Sequence, residues 1–218
     1  MAKEDLIIKL SLAVKEGNIE ESRAIAEEGL EKSHDALELI NGVTGALKEV
    51  GERFGRGEMF LTELLFCAEA SKAAMEVLTK EIERQKKEVP SLGRVLLGSV
   101  EGDIHDIGKS LVAAMLVAEG FEVIDIGVDV PDKTFVEKVR ELRPDVLGMS
   151  ALISSTMFKF RDVIEALKSE GLREDIKVII GGAFIDQEWA DSSGADAYGS
   201  DAIDAVLKVK SLSCSRST

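Results

Sequence analysis

The chain is short of the residues that build metal sites and disulfide frameworks. It has two cysteines, Cys67 and Cys214, and two histidines, His34 and His105, with the members of each pair far apart in 218 residues. Two such cysteines make neither a disulfide scaffold nor a zinc site. Cys67 lies in an apolar helical pattern and reads as a small buried hydrophobe. Cys214 sits in a polar tail, 211–218, that is expected to fray. Basic charge is in deficit too: 27 Lys and Arg stand against 41 Asp and Glu, a net charge of −14. Nucleic acids and anionic membrane surfaces both demand a basic face, so neither is an expected partner. No stretch approaches the roughly 18 consecutive apolar residues of a membrane span. The start, Met1-Ala2-Lys3-Glu4-Asp5, lacks the apolar segment of a signal peptide. With 45% hydrophobic and 31% charged residues, a cytoplasmic globular protein with a real core is expected.

What is present divides into two grammars. The first half is helical throughout. Leu6, Leu10 and Val14 recur at four-residue spacing with Ile7 beside them, giving one apolar face over 4–16. Gly17 ends that helix, and Asn18 with Glu21 has the spacing of a capping box for a second helix to about Lys32. His34 reads as solvated surface. A third helix carries Leu37, Ile40, Val43, Leu47, Val50 and Phe54. After the break at 55–58, Thr62 is the expected N-cap of a fourth helix, with Leu61 and Phe66 as its hydrophobic staple, reaching about Lys87. Four helices with short breaks predict a small antiparallel bundle. The apolar face is lost over 84–92 and Pro90 stops any helix, so the expected domains are 1–88 and 89–218.

The second half alternates strand and helix. Strands are expected at 94–100, 121–126, 145–150, 177–180 and 195–198, with helices at about 107–119, 133–142, 156–169, 187–191 and from Asp201. Short apolar runs between helices predict a parallel sheet covered on both faces. Five strands in about 125 residues fit an α/β, flavodoxin-like (Rossmann-like) doubly wound domain of order 2-1-3-4-5. Such sheets bind ligands beyond the carboxyl ends of their strands, where the order reverses. Here that point lies between strands one and three. It gathers Glu101-Gly102-Asp103-Ile104-His105-Asp106-Ile107-Gly108 and the segment from Ser150 to Thr156, with Gly181-Gly182 beyond strand four.

The first turn has no G-x-G-x-x-G or G-x-x-x-x-G-K-[ST], which excludes the usual dinucleotide and triphosphate loops. Ser150 stands where a phosphoacceptor domain would place an aspartate. An imidazole in this crevice can serve as a general base or a metal ligand. Asp103, two residues earlier, is placed to accept from one ring nitrogen and leave the other as the better donor to a metal. One histidine cannot build a metal site. A macrocycle that already supplies four nitrogens needs one axial ligand, and a corrinoid meets that requirement.

The pattern Asp103-x-His105-x-x-Gly108, then 41 residues, Ser150-x-Leu152, then 28 residues and Gly181-Gly182, resembles the signature of the cobalamin-binding proteins: methionine synthase, the corrinoid methyltransferase proteins and the cobalamin mutases. The stretch 51–61 resembles the helical cap domain of the methyl-carrying members, although proline is usual where this chain has Thr62. The resemblance implies His105 as the lower axial ligand of cobalt and Asp103 as its proton relay, with Ser150, Ser154 or Thr156 behind it. It implies that Gly102, Ile104, Asp106, Ile107 and Gly108 complete the cofactor loop. The nucleotide tail of the corrinoid would pass Ser150, Leu152, Gly181 and Gly182, with Tyr198, Gly199 and Ala202 at the deep end. Phe54, Leu61 and Leu64 would form an apolar lid that keeps water from cobalt(I).

In function, the resemblance implies a non-catalytic carrier cycling between methylcobalamin and cob(I)alamin forms of a cobalamin or related corrinoid. The implied partners are a substrate-specific methyltransferase, a second methyltransferase with a tetrahydrofolate or thiol acceptor, and a reductive activator. Two alternatives share the D-x-H-x-x-G signature. A subunit of an adenosylcobalamin-dependent mutase would not be expected to carry the helical cap. A cobalamin-sensing regulator would need a DNA-binding head, which the acidic N-terminal half is not.

Overall fold

Apolar residues at helical spacing organise the N-terminal half of the computed structural model, which describes residues 3–85 and 91–214. Helix α1 spans Lys3–Lys15, α2 Ile19–Glu31, α3 Ala36–Gly55 and α4 Leu61–Arg84. Leu6, Leu10 and Val14 of α1, Ile25 of α2, Leu39, Ile40, Val43, Leu47 and Val50 of α3, and Leu64, Leu78 and Ile82 of α4 are all buried. Helix α4 packs against α2 and α3, and α1 against both of these. Asn18 caps α2 as its spacing predicts: its Oδ1 accepts from the Glu21 N–H at 3.3 Å and its Nδ2 donates to Glu21 at 2.7 Å. Asp35 caps α3.

The start of α4 corrects the sequence reading. Thr62 lies inside the first turn, and the Phe60 N–H donates to Glu63 at 2.7 Å. Phe60 is thus the N-cap and Glu63 its N3 partner. The flanking positions of a hydrophobic staple fall on Met59 and Leu64, both buried, whereas Phe66 is exposed. Residues 86–90, where the sequence places the end of this helix and Pro90 the domain break, lie outside the described residues, as do 215–218 of the tail.

The second grammar yields an all-parallel sheet. Strand β1 spans Arg94–Ser99, β2 Glu122–Asp125, β3 Val146–Ser150, β4 Lys177–Gly181 and β5 Ala197–Gly199, in the order β2-β1-β3-β4-β5. The intervening helices are α5 Ile107–Ala118, α6 Asp132–Leu142, α7 Lys159–Ser169, α8 Gln187–Ser193 and, last, α9 Ala202–Cys214. The central strands read as continuous apolar runs because both faces are covered: Val95, Leu96, Leu97, Val146, Leu147, Val178 and Ile180 are buried. One face packs Phe135 and Val139 of α6 with Phe160, Val163, Ile164 and Leu167 of α7. Helix α7 starts three residues later than expected, because the Thr156 hydroxyl and N–H both donate to the Ile153 carbonyl and close a turn there.

The chain divides into two compact units, one running to Ser91 and including Val117–Gly120, the other comprising Leu92–Leu116 and the residues from Phe121 onward. Among the described residues no helix is long and apolar enough to cross a membrane.

Candidate functional site

Strand β1 ends at the sheet's topological switch, and its register aligns the loops beyond it. Ser99 pairs with Ser150 of β3 and Ser150 with Gly181 of β4, so three loops leave the sheet side by side. The loop after β1 turns sharply at Gly102, whose φ of +82° lies in the left-handed region that favours glycine. Its N–H donates to Asp129 Oδ1 at 2.7 Å, and the Asp129 N–H returns a bond to the Asp103 carbonyl. The Ser99 hydroxyl donates to the His105 carbonyl at 2.8 Å. The loop is held by side chains from β1 and from the segment beyond β2.

Asp103 is the centre of the arrangement. It is fully buried. Its Oδ1 accepts the His105 N–H at 3.0 Å and lies 2.8 Å from His105 Nδ1. Its Oδ2 accepts the N–H groups of Leu152 at 2.6 Å and Ile153 at 3.3 Å, and the Thr156 hydroxyl at 3.0 Å. Burial pushes the carboxyl pKa up, but the bonds from His105, Leu152 and Thr156 outweigh it and bring it down to about 2. Asp103 is therefore an anion at neutral pH. An anionic acceptor at Nδ1 assigns the ring proton to that nitrogen and leaves Nε2 with a free lone pair. The His105 side chain is 48% exposed, so that lone pair is open to a ligand.

The residues around His105 suit a large apolar partner. Ile104 on the same loop, Ile107 at the start of α5, Val128 beyond β2, and Leu152 and Ile153 beyond β3 are all exposed apolar side chains. Beside them a cleft of about 340 Å³ runs between the sheet, α5 and α9, past Gly108, Ser150, Leu152, Gly181 and Gly182, and on to Gly199 and Ala202. The glycines differ in what they permit. A Cβ on Gly108 would project into open space at the cleft wall, whereas one on Gly182 (φ +152°) would meet the Ala151 carbonyl oxygen at 1.7 Å. Gly108 leaves room for an occupant, and Gly182 lets two strand ends approach. Among the described residues no three His, Cys, Asp or Glu side chains gather to hold a metal ion. A metal at His105 must bring its other ligands with it, and the exposed ring, apolar collar and adjoining cleft fit a corrinoid that does so.

The other residues singled out by the sequence take different places. Of the three hydroxyls expected behind Asp103, Thr156 makes the bond; Ser150 lines the cleft, and Ser154 is exposed. Tyr198 does not line the cleft. Strand residues alternate faces, and Tyr198 turns to the opposite core while Gly199 takes the cleft side. In the helical unit Phe54 and Leu61 are half-buried, but Leu64 is wholly buried, a core position rather than an exposed one. Sequence reasoning missed Lys109 and Asp129. Lys109 carried a signal: it is the one charge in the apolar helix sequence IGKSLVAAMLVA.

Known proteins share these features. B12 binding domain families match residues 93–207 and, separately, 6–79. Trimethylamine corrinoid protein 2 of Methanosarcina mazei is 48% identical over 209 residues, covering 95% of this chain and 96% of that one. Dimethylamine corrinoid protein 2 of Methanosarcina acetivorans is 44% identical, covering 97% of each. Among solved structures, the methanol:cobalamin methyltransferase complex of Methanosarcina barkeri superimposes with a TM-score of 0.85 at 28% identity, covering 98% of this chain and 81% of that one. The monomethylamine corrinoid protein of the same organism gives 0.54 at 34% identity, covering 97% of this chain and all of that one. With matched domains in both halves, an exposed histidine fixed by a buried carboxylate and a glycine-lined cleft beside it, the chain belongs to the B12-binding corrinoid proteins.

Proposed function

We propose that this protein is a non-catalytic methyl carrier, holding its corrinoid through His105 and presenting it to a methylamine methyltransferase. The observation that carries the reading is the Asp103–His105 pair, with Nδ1 held at 2.8 Å and the ring otherwise open. When bound, the corrinoid supplies a cobalt centre able to accept and release a methyl group. The chain's own residues do the rest. Asp103 keeps the proton on Nδ1 at 2.8 Å and would make Nε2 the better donor to a corrinoid cobalt held there. Thr156, through Asp103, offers a hydroxyl proton to the same network. Ile104, Ile107, Leu152 and Ile153, exposed beside the ring, would pack against a bound corrinoid and keep water from the contact.

The methylamine assignment draws on relatives named for trimethylamine and dimethylamine. An acceptor methyltransferase with a tetrahydrofolate or thiol substrate, and a reductive activator, complete the proposed system, which operates in the cytoplasm. A mutase subunit is the weaker reading, because residues 6–79 also match a B12 binding domain, and the mutase reading gives the helical half no role.

The test is spectroscopic. The protein reconstituted with hydroxocobalamin is expected to show a histidine-ligated spectrum. His105→Ala is expected to bind more weakly and to lose that signature. An unchanged histidine-ligated spectrum in the variant overturns the ligand role.

A further inference from the structure

Lys109 is a buried cation that touches neither the Asp103 carboxylate nor the His105 ring. Its side chain is 3% exposed, in the first turn of α5, four residues after His105. Helical side chains lean toward the helix N-terminus, which sends the Lys109 ammonium back toward the loop. There it pairs with Asp106 Oδ1 at 2.7 Å and with Asp125 Oδ2 at the end of β2. Asp106 is next to His105, and its second oxygen accepts the Ser110 hydroxyl at 3.0 Å. Asp125 Oδ1 accepts the Gly127 N–H at 2.9 Å, and the Gly127 carbonyl accepts the Ser99 N–H. Ser99 in turn holds the His105 carbonyl. The contacts close a ring: β1, His105, Asp106, Lys109, Asp125, Gly127 and back to β1.

We infer that Lys109 is a positioning residue, clamping the C-terminal side of the His105 loop to the end of β2 so that the imidazole keeps its direction. The inference deepens the axial-ligand reading and rests on it for its consequence, but not for the clamp itself. Asp103 grips the ring and the loop from the inner side. Nothing in that grip fixes the chain after His105. The Ser99 bond and the Lys109 pair do so, and the Lys109 pair is the charged one. Burying an ammonium carries a desolvation cost that an apolar residue at the cleft wall would avoid. The pairing with two carboxylates on separate elements gives that cost a purpose: it sets one spacing between the first turn of α5 and the end of β2. Removing the ammonium would leave the two carboxylates facing each other, driving Asp106 outward and His105 with it.

The experiment has two arms, using Lys109→Met and Asp125→Asn in the full chain. In the cofactor-free protein, amide hydrogen exchange over 104–108 is expected to speed up in both variants, while exchange in the central strands stays at the parent rate. In protein loaded with hydroxocobalamin, the ratio of histidine-ligated to unligated spectrum is expected to fall about tenfold in Lys109→Met, at the lower end of what partners of a metal ligand cost. It should fall less in Asp125→Asn, and Lys109→Arg should restore part of the loss. A purely structural lysine would lower the melting temperature and leave that ratio alone. Parent-like exchange at 104–108 in a folded Lys109→Met protein overturns the clamp; if that variant does not fold, parent-like exchange in Asp125→Asn does so. A parent protein with no histidine-ligated spectrum sinks the axial-ligand reading instead, and the exchange arm still decides the clamp.

Discussion

Asp103 and Thr156, 53 positions apart, meet at 3.0 Å beneath His105, and Thr156 Oγ1 also lies 2.9 Å from the Ile153 carbonyl. One hydroxyl proton thus faces two acceptors. Thr156→Val removes the donor while keeping the shape and should destabilise the protein by about 1 kcal/mol. Thr156→Ser keeps the donor and should stay closer to the parent. Urea unfolding of the cofactor-free proteins checks this, and equal losses in the two variants would show that the methyl, not the hydroxyl, matters.

Asp103 carries more. Replacing it with alanine strips the acceptor from the N–H groups of His105, Leu152 and Ile153 and from Thr156. Stranded donors at a buried site cost more than the bond itself, so Asp103→Ala should lose about 2–4 kcal/mol. It should also release the ring, so that reconstituted protein shows a smaller histidine-ligated fraction than the parent. A variant as stable as the parent by denaturant unfolding would mean that water replaces the carboxylate at no cost.

Much of the fold and site is legible in the sequence, and the misses have causes. The first four helices come from their 3.6-residue period, the five strands from short continuous apolar runs, and the sheet order from strand–helix alternation. The pair Asp103–His105 is local, two residues apart, so spacing exposes it. Thr156 can be narrowed only to three hydroxyls, because which one reaches Asp103 depends on the turn closed at Ile153. One step of strand parity separates Tyr198 from the cleft. Residue type alone points to Thr62 as a cap, while Glu63 decides the helix start through the Phe60 N–H. Lys109 pairs across 16 residues with Asp125, and the register Leu97↔Asp125 that brings it there exists only once β1 and β2 have paired.

The two glycines of the cleft separate folding from occupancy. Gly182→Ala puts a Cβ 1.7 Å from the Ala151 carbonyl oxygen at φ +152°. Strain and overpacking should cost about 3 kcal/mol or more. Gly108→Ala meets nothing and sits in the first turn of α5, where alanine favours the helix by up to about 1 kcal/mol. It should therefore be as stable as the parent or more so, yet take up hydroxocobalamin more weakly, because its methyl enters the cleft wall. Thermal melts of the cofactor-free proteins and binding titrations check both halves. Parent-like binding by Gly108→Ala would move the occupant away from that wall.

Asp132 gives a prediction in pH. It opens α6, with its side chain 28% exposed and facing Lys159 at 3.8 Å. Lys159 is committed more closely to Glu101, at 2.7 Å. Burial raises the Asp132 pKa; Lys159 lowers it, and Asp162 and Glu101 raise it again, so that the net shift is upward. The folded state thus binds this proton more tightly than the unfolded chain does. Stability attributable to Asp132 is lowest when both states are ionised. It rises as pH falls through the raised folded value toward the unfolded value of about 3.9. Asp132→Asn removes the ionisation, so it should melt higher than the parent at pH 7, and that advantage should shrink as pH approaches about 4. The carboxylate's favourable place at a helix N-terminus opposes this, and the upward shift says that burial wins. Melting curves of the two proteins between these limits test the sign, and a variant that melts lower than the parent at pH 7 would show the helix terminus winning instead.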